Sequence, residues 1–271
     1  FTIMVPKADF CSAGELIDFL KKALRAKRKV GTPRGGSAQV IGKLHNIISQ
    51  GGEIRLGEEV KEIRVKEGKV NSVETDRQSY SAKAVVFCAP INQLLGLVPE
   101  NALPERVVNF AKNLESTASI ILEWTTDEPI AKSGLILGMG VPLWAHFPTV
   151  EDPSLAPPGK HLNVFCWMME RGKAQDKEHQ KECEQKLREH IEIMFPNASK
   201  KVIDERKIIV PLQNGALLKP EQSRPFRPKV DETNIKGLFI AGDTVSAGGV
   251  SGDIAFSSAL LVAEKVARFL S

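Results

Sequence analysis

The chain has 271 residues, and its 37 basic and 33 acidic side chains give a net charge of +4 at neutral pH. So small an excess, spread along the whole chain, does not favour nucleic-acid binding. The 42% of hydrophobic and 26% of charged residues are ordinary for a globular protein. No apolar run reaches the roughly 18 residues that a membrane-spanning helix needs.

The cysteine spacing bears on the cellular location of the protein, and the first residues bear on where the chain begins. Four cysteines lie far apart, and none forms a CxxC pair. Such spacing is typical of reduced thiols in an intracellular protein, so we expect a cytoplasmic location. The chain begins Phe1-Thr2-Ile3, with neither an initiator methionine nor a signal-peptide layout. We therefore expect it to start inside a longer protein.

The first predicted element is an amphipathic helix over residues 12–29. Ser12 and Glu15 have the spacing of a capping box, and apolar residues follow at helical spacing. The helix ends in a dense basic stretch from Lys21 to Lys29. We favour a solvated face whose cations complement the helix dipole. The alternative is peripheral contact with an anionic membrane through the same stretch.

A second amphipathic helix is predicted over residues 37–50, between a Pro-Arg-Gly-Gly break and a Gly-Gly stop. Strand-like runs follow at residues 53–56, 60–66 and 70–75, and the last two form a meander that continues to Tyr80. Residues 84–89 are wholly apolar, which predicts a buried central strand of a parallel sheet. The apolar stripe of the helix, which we expect to be buried, is Val40, Ile41, Leu44, Ile47 and Ile48.

The middle of the chain predicts strands at residues 119–124, 134–137 and 161–168, and a long polar helix at residues 176–194. Its large apolar side chains suit either a substrate cavity or an ordinary core, and we favour the core. These side chains are Trp124, Trp144, Trp167, Met168 and Met169.

The C-terminal stretch carries the sharpest signal. Residues 238–241 predict a buried strand, and Gly242 and Asp243 make a sharp exit from it. The glycine-rich loop that follows lets backbone approach a ligand closely. Apolar residues at helical spacing from Ile254 to Leu270 predict a final helix. Its N-terminus would present unpaired N–H groups to an anion or an electron-rich ring.

This order of strand, Gly-Asp, loop and Gly-x-x-Gly at a helix start resembles the C-terminal flavin-contacting segment of the FAD-dependent amine oxidase and phytoene desaturase superfamily. Residues 33–90, in which Pro-x-Gly-Gly precedes a helix and Gly-Gly-x-Ile a strand, resemble its phytoene desaturase-like members. The resemblance covers most of the chain. It is specific because two segments far apart in the sequence agree.

The resemblance implies FAD as the cofactor. By position, Val60 would contact adenine through its backbone and Asp243 would lie near the ribityl–pyrophosphate part of FAD. The backbone at Val250 and Ser251 would face the flavin pyrimidine oxygen. Asp253 stands where many members of the family have alanine. The cofactor-binding residues implied in this way are Val60, Gly242, Asp243, Gly249, Val250, Ser251 and Ile254.

The resemblance also implies a mixed α/β fold with two lobes. One is a partial, Rossmann-like FAD-binding lobe with a β-meander, and the other is a substrate lobe built on a mixed sheet with helices. The implied segments are residues 1–30 (substrate-lobe helix), 31–90 (FAD lobe), 91–207 (substrate lobe) and 208–271 (return to the FAD lobe).

The dinucleotide fingerprint G-x-G-x-x-G after an N-terminal strand is absent from the sequence. We therefore expect the C-terminal part of a larger flavoprotein, with the missing N-terminal FAD-binding portion as its partner. The pyrophosphate would normally rest on that portion. The isolated chain is accordingly expected to bind little or no FAD and to be inactive.

For the whole protein we expect a phytoene desaturase-like enzyme that removes a hydride equivalent from a small apolar, isoprenoid-type substrate, with the flavin as acceptor. The sequence offers no catalytic side chain and no metal motif. Two alternatives stay open. An amine oxidase-like enzyme commonly frames its flavin with paired aromatic residues, often tyrosines, and this chain has only Tyr80. A non-catalytic scaffold would keep the fold without the flavin.

Overall fold

The computed structural model describes residues 11–25, 33–138, 140–249 and 252–271, and it confirms the mixed α/β fold. The α-helices of this part of the chain are α1 (Ala13–Arg25), α2 (Ser37–Ser49), α3 (Glu105–Lys112), α4 (Pro148–Glu151), α5 (Lys177–Met194) and α6 (Gly252–Leu270). Its strands are β1 (Val60–Lys66), β2 (Lys69–Thr75), β3 (Ser79–Ser81), β4 (Val85–Phe87), β5 (Thr117–Thr126), β6 (Leu135–Leu137), β7 (Leu143–His146), β8 (His161–Glu170), β9 (Val202–Asn214) and β10 (Leu238–Ile240).

The chain forms two compact units. Of the described residues, unit 1 contains 24–25, 33–54, 117–138 and 140–213, and unit 2 contains 11–23, 55–116, 214–249 and 252–271. These groupings differ from the implied segments at four places, and two of these are residues 11–23, which fall in unit 2, and residues 208–213, which fall in unit 1. Residues 91–116 fall in unit 2, where several of their apolar side chains are buried in the core. The region around α2 falls in unit 1, where the Gly35 N–H donates to the Asp152 carboxylate at 2.7 Å.

Unit 1 is built on a five-stranded sheet with the order β6-β7-β8-β5-β9. Strands β5 and β8 pair antiparallel along their whole length. Because side chains alternate between the two faces of a sheet, one face of these strands shares a core with α5. Trp124 and Trp167 lie in that core, as the sequence favours. Trp144 lies on the opposite face and is only half-buried.

Glu205 on β9 is the centre of a polar network in unit 1. The Trp124 indole N–H donates to Glu205 Oε2 at 2.6 Å, and Arg188 donates to both carboxylate oxygens at 2.8 and 2.5 Å. The hydrogen bonds from Arg188 hold the pKa of Glu205 below its usual value. The network thereby joins α5 to strands β5 and β9.

Lowering the pH from about 7 to about 3 is expected to remove roughly 1–2 kcal/mol of stability through Glu205. The unfolded chain takes up this proton at a higher pH than the folded chain. The contribution is therefore complete above the unfolded pKa and is lost as pH falls through the folded pKa. Urea unfolding at both pH values measures it. The variant Glu205→Gln should show a shallower pH dependence, and identical slopes for the two proteins would contradict the assignment.

Unit 2 contains two sheets around one core. Strands β1, β2 and β3 form the predicted antiparallel meander, and β4 pairs with β10 in parallel, with Val85 opposite Leu238. The N–H of Ile63 on β1 donates to the Leu97 carbonyl at 2.8 Å, which ties the meander to the segment after β4. Both sheets, α3 and α6 contribute to the core, represented by Ile63, Phe87, Val107, Ile240 and Val262.

Two predictions for residues 37–56 are wrong. Helix α2 forms, but none of its residues is buried, and the stripe expected to be buried (Val40, Ile41, Leu44, Ile47 and Ile48) is 39% to 65% exposed. Helical spacing shows which face is apolar, not what covers it. Residues 53–56 form no strand.

The strand predicted at residues 84–89 forms over Val85–Phe87 but is not central. It belongs to a two-stranded sheet, and Val86 is 39% exposed. An apolar run predicts a strand and leaves the number of its neighbours open. The strand itself was predicted correctly, but the prediction that it is central and covered on both faces was wrong.

Helix α1 is attached to unit 2 near its start. Ser12 Oγ accepts the Glu15 N–H at 3.4 Å, as a capping residue does. The Glu15 carboxylate accepts the Arg224 N–H at 2.6 Å instead of completing the predicted capping box. Of the basic stretch, Lys21 and Arg25 are exposed, and residues 26–29 lie outside the described residues. None of the helices in the described ranges combines the length and apolar character needed to cross a bilayer.

Candidate functional site

The carboxyl ends of β4 and β10 meet at one edge of unit 2. The Ala241 N–H, just after β10, donates to the carbonyl of Phe87 on β4 at 2.9 Å. Beyond the strands, the Ile91 N–H donates to Thr244 Oγ1 at 3.3 Å. The two exits are thus tied to each other. In open parallel sheets, ligands bind outside the carboxyl ends of strands, so this edge is the candidate site.

Gly242 makes the corner at which the chain leaves β10. Its φ of 123° lies in the region that favours glycine. Its N–H donates to Ser258 Oγ on α6 at 2.9 Å. A Cβ at Gly242 would stand 3.5 Å from the carbonyl oxygen of Cys88, which follows β4. The corner therefore lies against β4 and is hydrogen-bonded to α6.

Asp243 is held by a residue that the sequence did not single out. Its Oδ2 accepts the Gly215 N–H at 2.7 Å. A Cβ at Gly215 would lie 3.0 Å from Asp243 Cγ and 3.0 Å from Thr244 Cγ2, with Oδ1 of Asp243 closer still. Only glycine lets the carboxylate come this close to the backbone. In the sequence, the isolated glycine after the long strand β9 was the signal that could have indicated this close approach.

The glycine loop crosses the start of α6. Gly249 has a φ of 114°, and a Cβ there would lie 2.9 Å from the carbonyl carbon of Asp253 and 3.1 Å from the Ile254 nitrogen. Ile254 is buried, so its side chain anchors the helix start. Asp253 is exposed in the first turn, where its charge suits the helix dipole. Val250 and Ser251 lie outside the described residues, so their predicted backbone roles have no structural account.

Val60 lines a cleft in unit 2. Val60 is 39% exposed and is the first residue of β1. The cleft has a volume of about 560 Å³, and β4 and the segment after it form much of its wall. Such a volume accommodates a purine ring with its sugar. Side chains that line it include Glu58, Val60, Ile63, Val85, Cys88 and Leu97.

Glu58 supplies a negative charge at the cleft. Its Oε1 accepts the hydroxyls of Thr75 and Tyr80, each at 2.7 Å. These two hydrogen bonds lower the pKa of the Glu58 carboxyl, with the larger effect from Thr75. The carboxylate therefore stays ionised in neutral solution. It can accept a hydrogen bond from an exocyclic amino group such as the one that adenine carries.

Val60 lies on β1 and Gly249 lies in the loop before α6. No sheet formed by the described residues contains both. Cys88 lines the same cleft as Val60, and its carbonyl oxygen lies beside the corner at Gly242. The described residues thus fit a dinucleotide-type ligand at two places, the apolar cleft and the glycine loop. Among these residues, no group of histidine, cysteine or acidic side chains could hold a metal ion.

The sequence is similar to known flavoproteins. A model of the family described as flavin containing amine oxidoreductase matches residues 8–267. A phytoene dehydrogenase of Streptomyces griseus is 30% identical over an alignment of 148 positions, gaps included, that covers 48% of this chain and 29% of that protein. A lycopene-forming phytoene desaturase of Pseudescherichia vulneris is 23% identical over an alignment of 288 positions, gaps included, that covers 88% of this chain and 56% of that protein.

Among solved structures, an oxidoreductase from Methanosarcina mazei matches with a TM-score of 0.75 and 24% identity, over 92% of this chain and 59% of that chain. At this identity the likeness concerns the fold alone, and it agrees with the mixed α/β fold predicted from the sequence. The chain spans less than two thirds of the length of each of these three proteins.

Proposed function

The chain belongs to the flavin containing amine oxidoreductase family, and we propose that it is part of an FAD-dependent oxidoreductase in which unit 2 contacts the cofactor. The observation that carries the proposal is the Asp243 carboxylate, held against Gly215 at the joined ends of two parallel strands. When bound, FAD supplies the hydride acceptor, and the protein supplies orientation and electrostatics.

The residues of unit 2 would divide this work between them. The cleft beside Val60 would hold adenine, with Glu58 as an acceptor for its amine group. Asp243 would hydrogen-bond to the ribityl hydroxyls. The N-terminus of α6 would face the polar edge of the flavin with its unpaired N–H groups. None of these residues takes part in a covalent step.

We propose an apolar, isoprenoid-type substrate. Two observations support this choice. Both curated relatives named above are phytoene dehydrogenases or desaturases. In addition, the sheet face of unit 1 opposite α5 carries several apolar side chains that are half-buried or exposed. Its side chains include Ile121, Leu135, Leu137, Trp144 and Val164.

The full-length protein, purified from its native source, is expected to show a flavin absorbance spectrum at close to one flavin per chain. Anaerobic addition of an isoprenoid hydrocarbon should bleach that spectrum, because the substrate reduces the flavin. Bleaching by primary amines alone would replace the substrate proposal with amine oxidation. A protein that folds and carries no flavin would support the scaffold alternative.

The amine oxidase alternative finds no tyrosine in unit 1. Tyr80 lies on β3 in unit 2, and its hydroxyl is committed to Glu58. The scaffold alternative draws on Asp253, whose exposed carboxylate occupies the first turn of α6. Substrate bleaching separates both alternatives from the proposal.

A further inference from the structure

The sheet of unit 1 carries polar as well as apolar side chains on its face opposite α5. On β5, Leu122 and Trp124 are buried in the core shared with α5, whereas Glu123 between them is half-buried. On β7, Ala145 is buried in the same core, and the next residue, His146, is half-buried. Because side chains alternate between the two faces of a sheet, Glu123 and His146 both lie on the face opposite α5.

The strand register places Glu123 and His146 in one row across this face. Each of them pairs with Val164 on β8, the strand that lies between β5 and β7. On the far side of His146, Leu135 on β6 continues the row. Neighbouring strands lie about 4.8 Å apart, so a polar residue stands roughly one strand spacing to either side of Val164. We call Leu135, His146, Val164 and Glu123 the mixed row.

The adjacent row, two residues away along each strand, is apolar. Leu137 pairs with Trp144, and both Trp144 and Ile121 pair with Cys166. Trp144 and Ile121 are half-buried, and Leu137 is 40% exposed. Side chains of an antiparallel sheet that face water are commonly polar, so these four residues, the apolar row, suit a hydrocarbon chain better than they suit water.

The charge of Glu123 is offset within the sheet. Arg206 on β9, the neighbouring strand, places its Nε 2.9 Å from Glu123 Oε2. The pair is neutral as a whole, yet a carboxylate has lone pairs for further donors. A ligand hydroxyl can therefore donate to Glu123. A ligand ammonium would gain little there, because the charge of Arg206 opposes its own.

His146 adds a second uncharged hydrogen-bonding group to the mixed row. Burial lowers the pKa of His146, and the nearby charge of Glu151 opposes that effect without cancelling it. The imidazole is therefore uncharged in neutral solution. A neutral imidazole offers one donor and one acceptor, as a hydroxyl does. Both polar residues of the mixed row thus favour an uncharged polar group over an ion.

We propose that the face opposite α5 binds an isoprenoid that ends in an uncharged polar group such as a hydroxyl, with His146 and Glu123 as the residues that recognise this end. The apolar row contacts the hydrocarbon chain, so an isoprenoid hydrocarbon still binds, but more weakly. This inference rests on the proposed function, since that proposal makes this face the substrate surface. Recognition of the polar end involves no flavin and can be tested on the chain without it.

The test is equilibrium binding of farnesol, farnesene and farnesylamine to the chain. These probes share the length of their isoprenoid chain, and they carry a hydroxyl, no polar group and an ammonium, respectively. Tryptophan fluorescence follows binding, because Trp144 belongs to the apolar row and a ligand there shields it from water. Farnesol is expected to bind about five- to tenfold more tightly than either other probe, because only its hydroxyl forms hydrogen bonds with the mixed row.

Variants of His146 separate recognition of the hydroxyl from contact with the chain. His146→Phe keeps a ring without hydrogen-bonding atoms, so farnesol should bind it within about twofold of farnesene. His146→Gln restores a donor and an acceptor and should keep most of the preference. The matched control is His190→Phe, which replaces a half-buried histidine on α5 and should leave both affinities unchanged. Leu137→Ala should weaken both probes by the same factor, because it removes only apolar contact.

Equal affinities of the unchanged chain for farnesol and farnesene would overturn the proposal, as would tightest binding of farnesylamine or no binding of any probe. This comparison does not depend on a variant that folds. A farnesol preference that persists in His146→Phe would overturn it as well. The proposed function fails by a different result, namely a full-length protein without flavin or one whose flavin no isoprenoid bleaches.

Discussion

Replacing Gly215 with alanine is expected to displace Asp243 and to lower the free energy of unfolding by about 2–3 kcal/mol. The new Cβ would lie 3.0 Å from both Asp243 Cγ and Thr244 Cγ2 and would overlap Oδ1 of Asp243. The carboxylate must then move, and the hydrogen bond from the Gly215 N–H is lost with it. Urea unfolding of the chain measures the loss. In protein purified with flavin, flavin content should fall as well.

A matched control for this substitution is Gly96→Ala. Gly96 also lies in unit 2, but no atom lies within 4 Å of the position of its Cβ. We expect that variant to change stability by less than about 0.5 kcal/mol. In the double variant Gly215→Ala/Asp243→Ala, much of the overlap is removed, so its loss should be smaller than the sum of the single losses. Additive losses in the free energy of unfolding would show that the alanine Cβ does not clash with Asp243.

Replacing Phe165 with alanine is expected to lower the free energy of unfolding by about 3–5 kcal/mol. Phe165 is fully buried on β8, and its ring packs edge-on against Trp124 at 5.1 Å and Phe147 at 5.7 Å between ring centroids. Truncation removes these contacts and leaves a cavity in the core between the sheet and α5. Urea unfolding followed by tryptophan fluorescence reports the loss directly, because Trp124 lines the cavity.

The surface variant Ile193→Ala is the control for Phe165→Ala. Ile193 lies on α5 in the same unit and is 74% exposed, so its truncation leaves no cavity. Its effect on the free energy of unfolding should stay below about 0.5 kcal/mol. Comparable losses in the two variants would mean that the core does not lie between β8 and α5.

Local periodicity accounts for what could be predicted from the sequence. The alternation along β5 and β8 and the helical spacing of α5 follow from patterns a few residues long, and the N-terminus of α5 follows from Asp176. That side chain accepts the N–H groups of Glu178 and His179, as a helix cap does. The meander and the end of β10 at Gly242 could likewise be predicted, because the residue preferences of turns are local.

Only the tertiary structure decided which residues contact each other. The sequence alone determined that α2 has an apolar face, but not that this face lies uncovered in the described chain. Gly215 donates to Asp243, and the Arg227 guanidinium lies 3.9 Å from the Glu15 carboxylate, through contacts between residues far apart in the sequence. A pattern that repeats every two or four residues carries no information about such partners. They depend on chain topology, which brings together the ends of strands and the start of α1 only when the core of unit 2 has formed.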